Sequence, residues 1–212
     1  MDVAFAGYAS WLIVALAKGD DSLRASQHVG HADIISCVES RTILLLTTAT
    51  LWGGTENQVF HQARHLSERG FQVTVGTLAD GDGTLPRELS ANPEITTFSL
   101  HTTKRTPWRV MDLAIRLGEE RPSLIIAYLF HPYLVARILG RLFRRIPVIS
   151  SFRSGGQGKW RCFLDRLTMP LTDFFVVPSE DSARFAREEL KVPEKKLRVI
   201  PIGVDAEWLR SP

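Results

Sequence analysis

From Thr42 to the C-terminus, short apolar β-rich runs alternate with helical stretches. That alternation constrains the fold more than any other feature, because parallel strands need a long crossover between them and a helix is the usual one. The strand-like runs are Thr42–Ala49, Phe71–Thr77, Glu94–Leu100, Ser123–Leu129, Pro147–Phe152, Asp173–Pro178 and Leu197–Pro201. Most are apolar at nearly every position, as strands buried on both faces are. Helical periodicity fills the gaps. Val59, Ala63 and Leu66 share one face, and Gly70 stops that helix. Val110, Leu113, Ala114 and Leu117 mark another. Leu134, Val135, Ile138, Leu139 and Leu142 form a broad stripe, with Pro132 in the first turn, leaving Arg137, Arg141, Arg144 and Arg145 for other faces. Trp160, Phe163, Leu164 and Leu167 mark a further helix, and Phe185, Ala186 and Leu190 line the buried face of the next. Leu78–Pro93 reads as loop. The expected fold class is α/β: one doubly wound, Rossmann-like parallel-sheet domain over residues 42–212, preceded by an extension over 1–41.

The extension holds an uncharged run, Val3–Ala17. It is shorter than the ~20 apolar residues of a spanning helix. Ala15-Leu16-Ala17 has the look of a signal-peptidase site, but Asp2 precedes the run and no Lys or Arg does. A cleaved leader, a shallow membrane anchor, a packed helix and an irregular extension all stay open. Residues 18–41 show no sustained period and read as a linker.

Composition excludes some function classes. Of the 212 residues 44% are hydrophobic and 23% charged, which is unlike disordered, collagenous or disulfide-scaffold chains. The net charge is only +3, but residues 101–166 carry 13 basic and 4 acidic side chains. Such a segment attracts phosphates, anionic lipid headgroups or nucleotides, and solvated helix faces account for it equally well. Its basic residues are not interleaved with base-stacking aromatics, so nucleic acid is not the expected partner. Cys37 and Cys162 stand far apart, without a CxxC or zinc spacing. A reducing, cytoplasmic compartment fits that usage, and no metal is expected.

Doubly wound sheets bind ligands at the carboxyl ends of their strands. Four segments there matter: Thr50–Thr55, Phe130–Pro132, Arg153–Gly158 and Ser179. Gly53-Gly54 leads into a helix, where a backbone without side chains can approach an anion and free N–H groups can receive it. The spacing fits neither G-x-G-x-x-G nor a P-loop. Gly158-Lys159 fails the P-loop pattern because Trp160 follows, and Asp80-Gly81-Asp82-Gly83 lacks the Gly and Glu of a calcium loop. His131, just past an apolar strand, could bond a sugar hydroxyl or act as a base; capping or packing is the bland alternative. His61 and His65 lack the H-E-x-x-H pattern. Ser179 is a good helix N-cap, with Glu180 and Asp181 in the first turn.

Several of these segments together resemble family-4 glycosyltransferases of the GT-B fold. Gly53-Gly54-Thr55-Glu56 resembles that family's GGxE loop, and RGFQVTVGT (69–77) its RGHxVxVxT. PSLIIAYLFHPYLVARILGRL (122–142) is similar to PDIIHxHLFHxxxxARL, and PVISSFR (147–153) to PVVSSxR. DFFVVPSEDSARF (173–185) resembles the family's stretch where a strand meets a Ser-Glu or Ser-x-x helix start, and KKLRVIPIGVD (195–205) resembles the KxxVIPNGVD that closes its N-terminal domain. The matches run in order from Thr42 to Pro212.

The resemblance implies retaining transfer of a sugar from a nucleotide-sugar donor to an acceptor, with no cofactor or obligatory metal. Gly53, Gly54 and Glu56 would inherit the loop that approaches donor phosphates or acceptor. His131 matches the second histidine of the HLFH segment and is the candidate catalytic group. Tyr128 stands where the first histidine usually stands, Ile202 where Asn is frequent, and Arg153 and Ser179 would border the cleft. The family's donor-binding domain, with its Glu-x7-Glu motif, has no counterpart before Pro212. The chain is therefore expected to be an acceptor-side domain, incomplete without a donor-binding domain that could be separately encoded. Its expected partners are a glycan- or lipid-linked sugar acceptor and, peripherally, the inner membrane face. A non-catalytic module binding phosphorylated lipid or nucleotide is the alternative.

Overall fold

The computed structural model describes residues 42–48, 53–81, 83–153 and 158–201. Seven strands form one wholly parallel sheet: β1 (Thr42–Thr47), β2 (Gln72–Thr77), β3 (Ile95–Ser99), β4 (Leu124–Tyr128), β5 (Val148–Ser151), β6 (Phe174–Val177) and β7 (Leu197–Val199). Each lies inside a run expected to be a strand. The order is β3-β2-β1-β4-β5-β6-β7. Connections leave β1 and β4 in opposite directions, so a crevice opens at their carboxyl ends.

The helices are α1 (Gly54–Ser67), α2 (Thr84–Leu89), α3 (Asp112–Glu120), α4 (Phe130–Val135), α5 (Lys159–Thr168) and α6 (Glu180–Glu188). Alternation along the strands divides the core. Ile43, Leu45, Val73, Val75, Ile126 and Ile149 point to one face, where Val59, Ala63 and Leu66 of α1 and Leu85 and Leu89 of α2 cover them. Leu44, Leu46, Ile125, Ala127 and Val148 point the other way, under Leu113 and Leu117 of α3, Tyr133 of α4 and Ala136 just after it. A third cluster joins Phe175 and Val177 of β6 to Cys162 of α5 and Ala183 and Ala186 of α6. Each fully buried Leu, Ile or Val in these layers contributes about 1.5–3 kcal/mol relative to exposure. Gly76 and Gly140 set two close approaches: a Cβ on Gly76 would lie 2.5 Å from the Phe98 ring, and one on Gly140 2.5 Å from Ile125 Cδ1.

Two expectations need correction. The segment 78–93 is not all loop, because Thr84–Leu89 is helical and buries Leu85 and Leu89 four residues apart. Pro86 tolerates this because it lies in the first turn, where no intrahelical N–H bond is lost.

Arg137 does not take an outer face; it is fully buried. Residues Ala136–Phe143 continue α4 as a π-helix; Arg137 follows Tyr133 by four residues and shares its buried face with Ala136 and Gly140, while Leu142 and Phe143 emerge. Its Nη1 bonds Asp165 Oδ1 at 2.7 Å and Thr168 Oγ1 at 2.9 Å, and its Nε bonds Ser150 Oγ at 3.0 Å. Tyr133 donates to Asp165 Oδ2 at 2.7 Å, and the guanidinium lies 4.5 Å from the Tyr133 ring centroid.

The helix marked by Trp160, Phe163, Leu164 and Leu167 is α5, and Trp160, Phe163 and Leu167 are exposed on it. The inward side of that helix is Cys162, Asp165 and Thr168, because the polar network around Arg137 claims it.

Cys37 and the uncharged run Val3–Ala17 lie outside the described residues, and Cys162 is a buried free thiol. Among the described residues, no helix is long and apolar enough to cross a membrane.

Candidate functional site

The inward series of each strand on the α1 face ends in a polar residue. Ile43 and Leu45 lead to Thr47, Val73 and Val75 to Thr77, Ile126 to Tyr128, and Ile149 to Ser151. Thr47 pairs with Thr77, and Tyr128 with Ser151. The four therefore form a polar row across the carboxyl edge of the sheet. Above it, α1 turns Gln58 and Gln62 inward, both buried. The Tyr128 hydroxyl donates to Gln62 Oε1.

Much of this row's hydrogen-bonding capacity is unused. Among the described residues, Gln58 Oε1, Gln62 Nε2, Thr77 Oγ1, Ser151 Oγ and Arg153 Nε are buried without a hydrogen-bond partner. Buried polar groups are nearly always satisfied, so five such atoms along one edge of a sheet call for water or a ligand.

Gly53 and Gly54 stand at the start of α1, beside the crevice. A Cβ on Gly53 would lie 3.0 Å from Glu56 Oε2, whereas one on Gly54 would meet open space. Gly53 thus makes room for the Glu56 carboxylate. That carboxylate accepts from Thr47 Oγ1 at 3.3 Å. Burial pushes its pKa up, against the opposing pull of its own backbone N–H and of Thr47.

His131 lies in the first turn of α4, edge-on to Phe130 with ring centroids 5.3 Å apart. Its outer side faces solvent, yet burial of the rest, followed by the nearby Arg161 charge, lowers its pKa. A neutral imidazole at pH 7 can accept a proton or a hydrogen bond. The turn presenting it is strained, since Leu129 holds φ at +68°. Such a conformation costs a non-glycine residue about 1–3 kcal/mol and persists only where the surroundings enforce it.

Arg153 follows β5, its guanidinium 5.6 Å from the Tyr128 ring centroid. Tyr128 itself is fully buried, so its ring forms a wall and its hydroxyl orients Gln62. Ser179 lies farther along the same edge, after β6. Its Oγ accepts from Ser182 N at 3.2 Å and caps α6.

The carboxyl edge thus collects Gly53, Glu56, Tyr128, His131 and Arg153 around β1, β4 and β5, with Ser179 toward the β7 side. Gln58, Gln62, Thr77 and Ser151 were absent from the sequence reading. They could have been found by extending each inward-facing series by one position, and by noting an i, i+4 pair of glutamines beside the apolar stripe of α1.

Likenesses to known proteins converge on this architecture. A glycosyltransferase from Rickettsia africae superposes with a TM-score of 0.65 at 17% identity, covering 81% of this chain and 45% of that one. Anabaena HepE in complex with UDP gives 0.60 at 18%, covering 77% and 44%. UDP-GlcNAc 2-epimerase from Neisseria meningitidis, bound to UDP-GlcNAc, gives 0.54 at 17%, covering 74% and 46%. The chain spans a little under half the length of these structures, and at such identities they show the shared fold alone. Among curated protein sequences, none matches this chain. The sequence profile of Glycosyltransferase Family 4 matches residues 52–208, from the glycine loop through β7, and the chain belongs to that family.

Proposed function

We propose that this domain supplies the acceptor-side wall of a glycosyltransferase cleft. A sugar moves there, with retention of configuration, from a nucleotide-sugar donor to a hydroxyl of a glycan- or lipid-linked acceptor. The anomeric carbon–phosphate oxygen bond breaks, a bond to the acceptor oxygen forms, and the acceptor proton leaves with the phosphate. The observation that carries this reading is the row of unpartnered buried groups at the carboxyl edge. Gln58 Oε1 can accept and Gln62 Nε2 and Arg153 Nε can donate, while Thr77 and Ser151 hydroxyls can do either. A molecule with several neighbouring hydroxyls satisfies such a set; an apolar molecule does not.

Glu56 sharpens the assignment. As an anion it would repel a phosphate, so it suits an acceptor hydroxyl, leaving the open backbone at Gly54 and the Arg153 cation for the donor's diphosphate. His131 is the candidate proton acceptor or hydroxyl ligand. Ser179 serves the rim by holding the start of α6. Transfer takes place when a donor-binding domain, in whichever polypeptide it resides, closes over this edge. The fold by itself also suits a UDP-GlcNAc 2-epimerase; the family match favours transfer.

The test is an NMR titration of the full chain with mono- and oligosaccharides, and separately with UDP. Saccharides are expected to shift the side-chain amides of Gln58 and Gln62 and the Glu56 amide, and UDP to perturb them less. Strong UDP binding with no response to any saccharide would refute the acceptor-side assignment and favour a nucleotide-binding module.

A further inference from the structure

The polar row at the carboxyl edge does not end at Thr77. Thr77 pairs with Ser99 of β3. Ile95 of that strand packs on the α1 face, so Ser99, four residues on, lies on that face too. Ser99 Oγ donates to Asp80 Oδ1 at 2.7 Å, and His101 Nδ1 donates to the same carboxylate at 2.7 Å. The His101 backbone N–H closes the ring of bonds on Ser99 Oγ at 3.1 Å. Asp80 follows β2 and His101 follows β3, so the cluster joins the first turns of two loops. Leu100 N on Thr77 O at 2.9 Å, and Thr102 N on Leu78 O at 2.8 Å, hold those loops together.

His101 holds φ at +51°, a left-handed conformation that few residues other than glycine adopt. It persists only where the surroundings enforce it, and such strain gathers at ligand sites. The His101 and Ser99 hydrogen bonds hold the Asp80 carboxyl below its ordinary range, so it is an anion at neutral pH. An anionic carboxylate only accepts, so Nδ1 of His101 carries the proton and Nε2 keeps a lone pair. Both side chains are more than half exposed. Between them and the Thr47–Glu56 pair lies Thr77, whose buried hydroxyl has no partner among the described residues. Two strand spacings, roughly 10 Å, separate the ends of β1 and β3, which is about the length of two linked sugar rings. Since β3 is the edge strand, a longer chain would pass from there into solvent.

We propose that Asp80 and His101 form a second sugar subsite, which binds neighbouring hydroxyls of a residue one or two units removed from the reacting hydroxyl. The Asp80 carboxylate and His101 Nε2 are two acceptors side by side, and adjacent hydroxyls of a sugar ring supply two donors. A phosphate supplies none and would meet the Asp80 charge. Ser99 orients the carboxylate from below. The inference rests on the acceptor-side reading and adds a length to it: the preferred acceptor is an oligosaccharide, held at Glu56 by one residue and at Asp80 by another.

The experiment is an NMR titration of the full chain with glucose and with the α-1,4- and β-1,4-linked glucose disaccharides and trisaccharides. In one of the two series, affinity is expected to rise at least about tenfold from glucose to the trisaccharide. The His101 ring signals should move with that trisaccharide and stay still with glucose. Asp80→Asn and His101→Phe should each bring trisaccharide affinity back toward the wild-type value for glucose. If neither variant unfolds cooperatively, the wild-type ring signals decide. Equal affinity at every length, with Gln58 and Gln62 responding and His101 silent, overturns the proposal and leaves the acceptor-side reading standing. A response at His101 with none at the glutamines also overturns it, because the two subsites would not be continuous. Silence at all three residues with every saccharide refutes the acceptor-side reading, and the second subsite falls with it.

Discussion

Replacing Arg137 tests the reading of the buried network most directly. The guanidinium is wholly out of water and bonds Asp165, Thr168 and Ser150. Burial lowers its pKa, and the neighbouring Asp165 carboxylate opposes that shift. Arg137→Ala would leave Asp165 buried with only the Tyr133 hydroxyl and no counter-charge, and would open a cavity between α4 and α5. Breaking one side of a buried pair costs about 3–5 kcal/mol. At about 2–4 °C per kcal/mol for a domain of this size, the melting temperature should fall by roughly 6–20 °C. Arg137→Met/Asp165→Leu removes both charges and keeps much of the volume, so it should lie within about 2 kcal/mol of wild type, well above the single variant. Urea unfolding followed by circular dichroism compares these three forms, and adding Arg137→Met and Asp165→Leu singly completes the cycle that isolates the coupling. The wild-type advantage over Arg137→Ala should persist in high salt, because a dry pair is little screened. If Arg137→Ala costs less than about 1 kcal/mol, Arg137 is not buried as described.

Other expectations are quickly checked. Gly76→Ala should destabilise by about 1–3 kcal/mol in thermal melts, since its Cβ would lie 2.5 Å from the Phe98 ring; Gly76→Ala/Phe98→Leu should recover part of the loss. Ser179→Ala should cost about 0.5–2 kcal/mol through the lost cap, and Ser179→Gly only a few tenths. The His131 imidazole should titrate below its ordinary 6.5 by NMR. Because the unfolded chain then binds the proton more readily, its contribution to stability is lost as pH falls below about 6.5 toward the folded value; a His131→Asn variant should lack that acid-side slope. Glu56 has the opposite sign. Its folded pKa lies above 4.5, so the stability it lends is present at low pH and lost as pH rises through the folded value. Glu56→Gln should be at least as stable as wild type at pH 7, and an unstable Glu56→Gln would refute the role given to burial.

The seven strands were legible because each is a run of β-branched and aliphatic residues bounded by Gly, Pro or charge, and a parallel sheet tolerates little else. The glycine loop and His131 could be placed by topology alone, because both follow strands adjacent at the crevice. Arg137 could not. Its spacing from Tyr133 puts it on the inward face, but nothing local shows that Asp165, 28 residues later, waits there to receive its charge. The α5 stripe marked its helix correctly, but periodicity reports a shared face and not whether anything covers it. The glutamines of α1 were passed over because a buried amide looks polar in sequence, and its value lies in what it bonds once buried.

The Arg137–Asp165 bond also has a consequence for cooperativity. It ties α4, which carries His131 at its start, to α5, while Ser150 and Thr172 extend the tie into β5 and the turn before β6. These elements should exchange their amide protons as one late-opening unit. Short α2, held at the sheet's far side by Leu85 and Leu89, is free to fray earlier. A disturbance felt along α5 would then reach the imidazole at the cleft as a rigid displacement rather than dissipate in local melting.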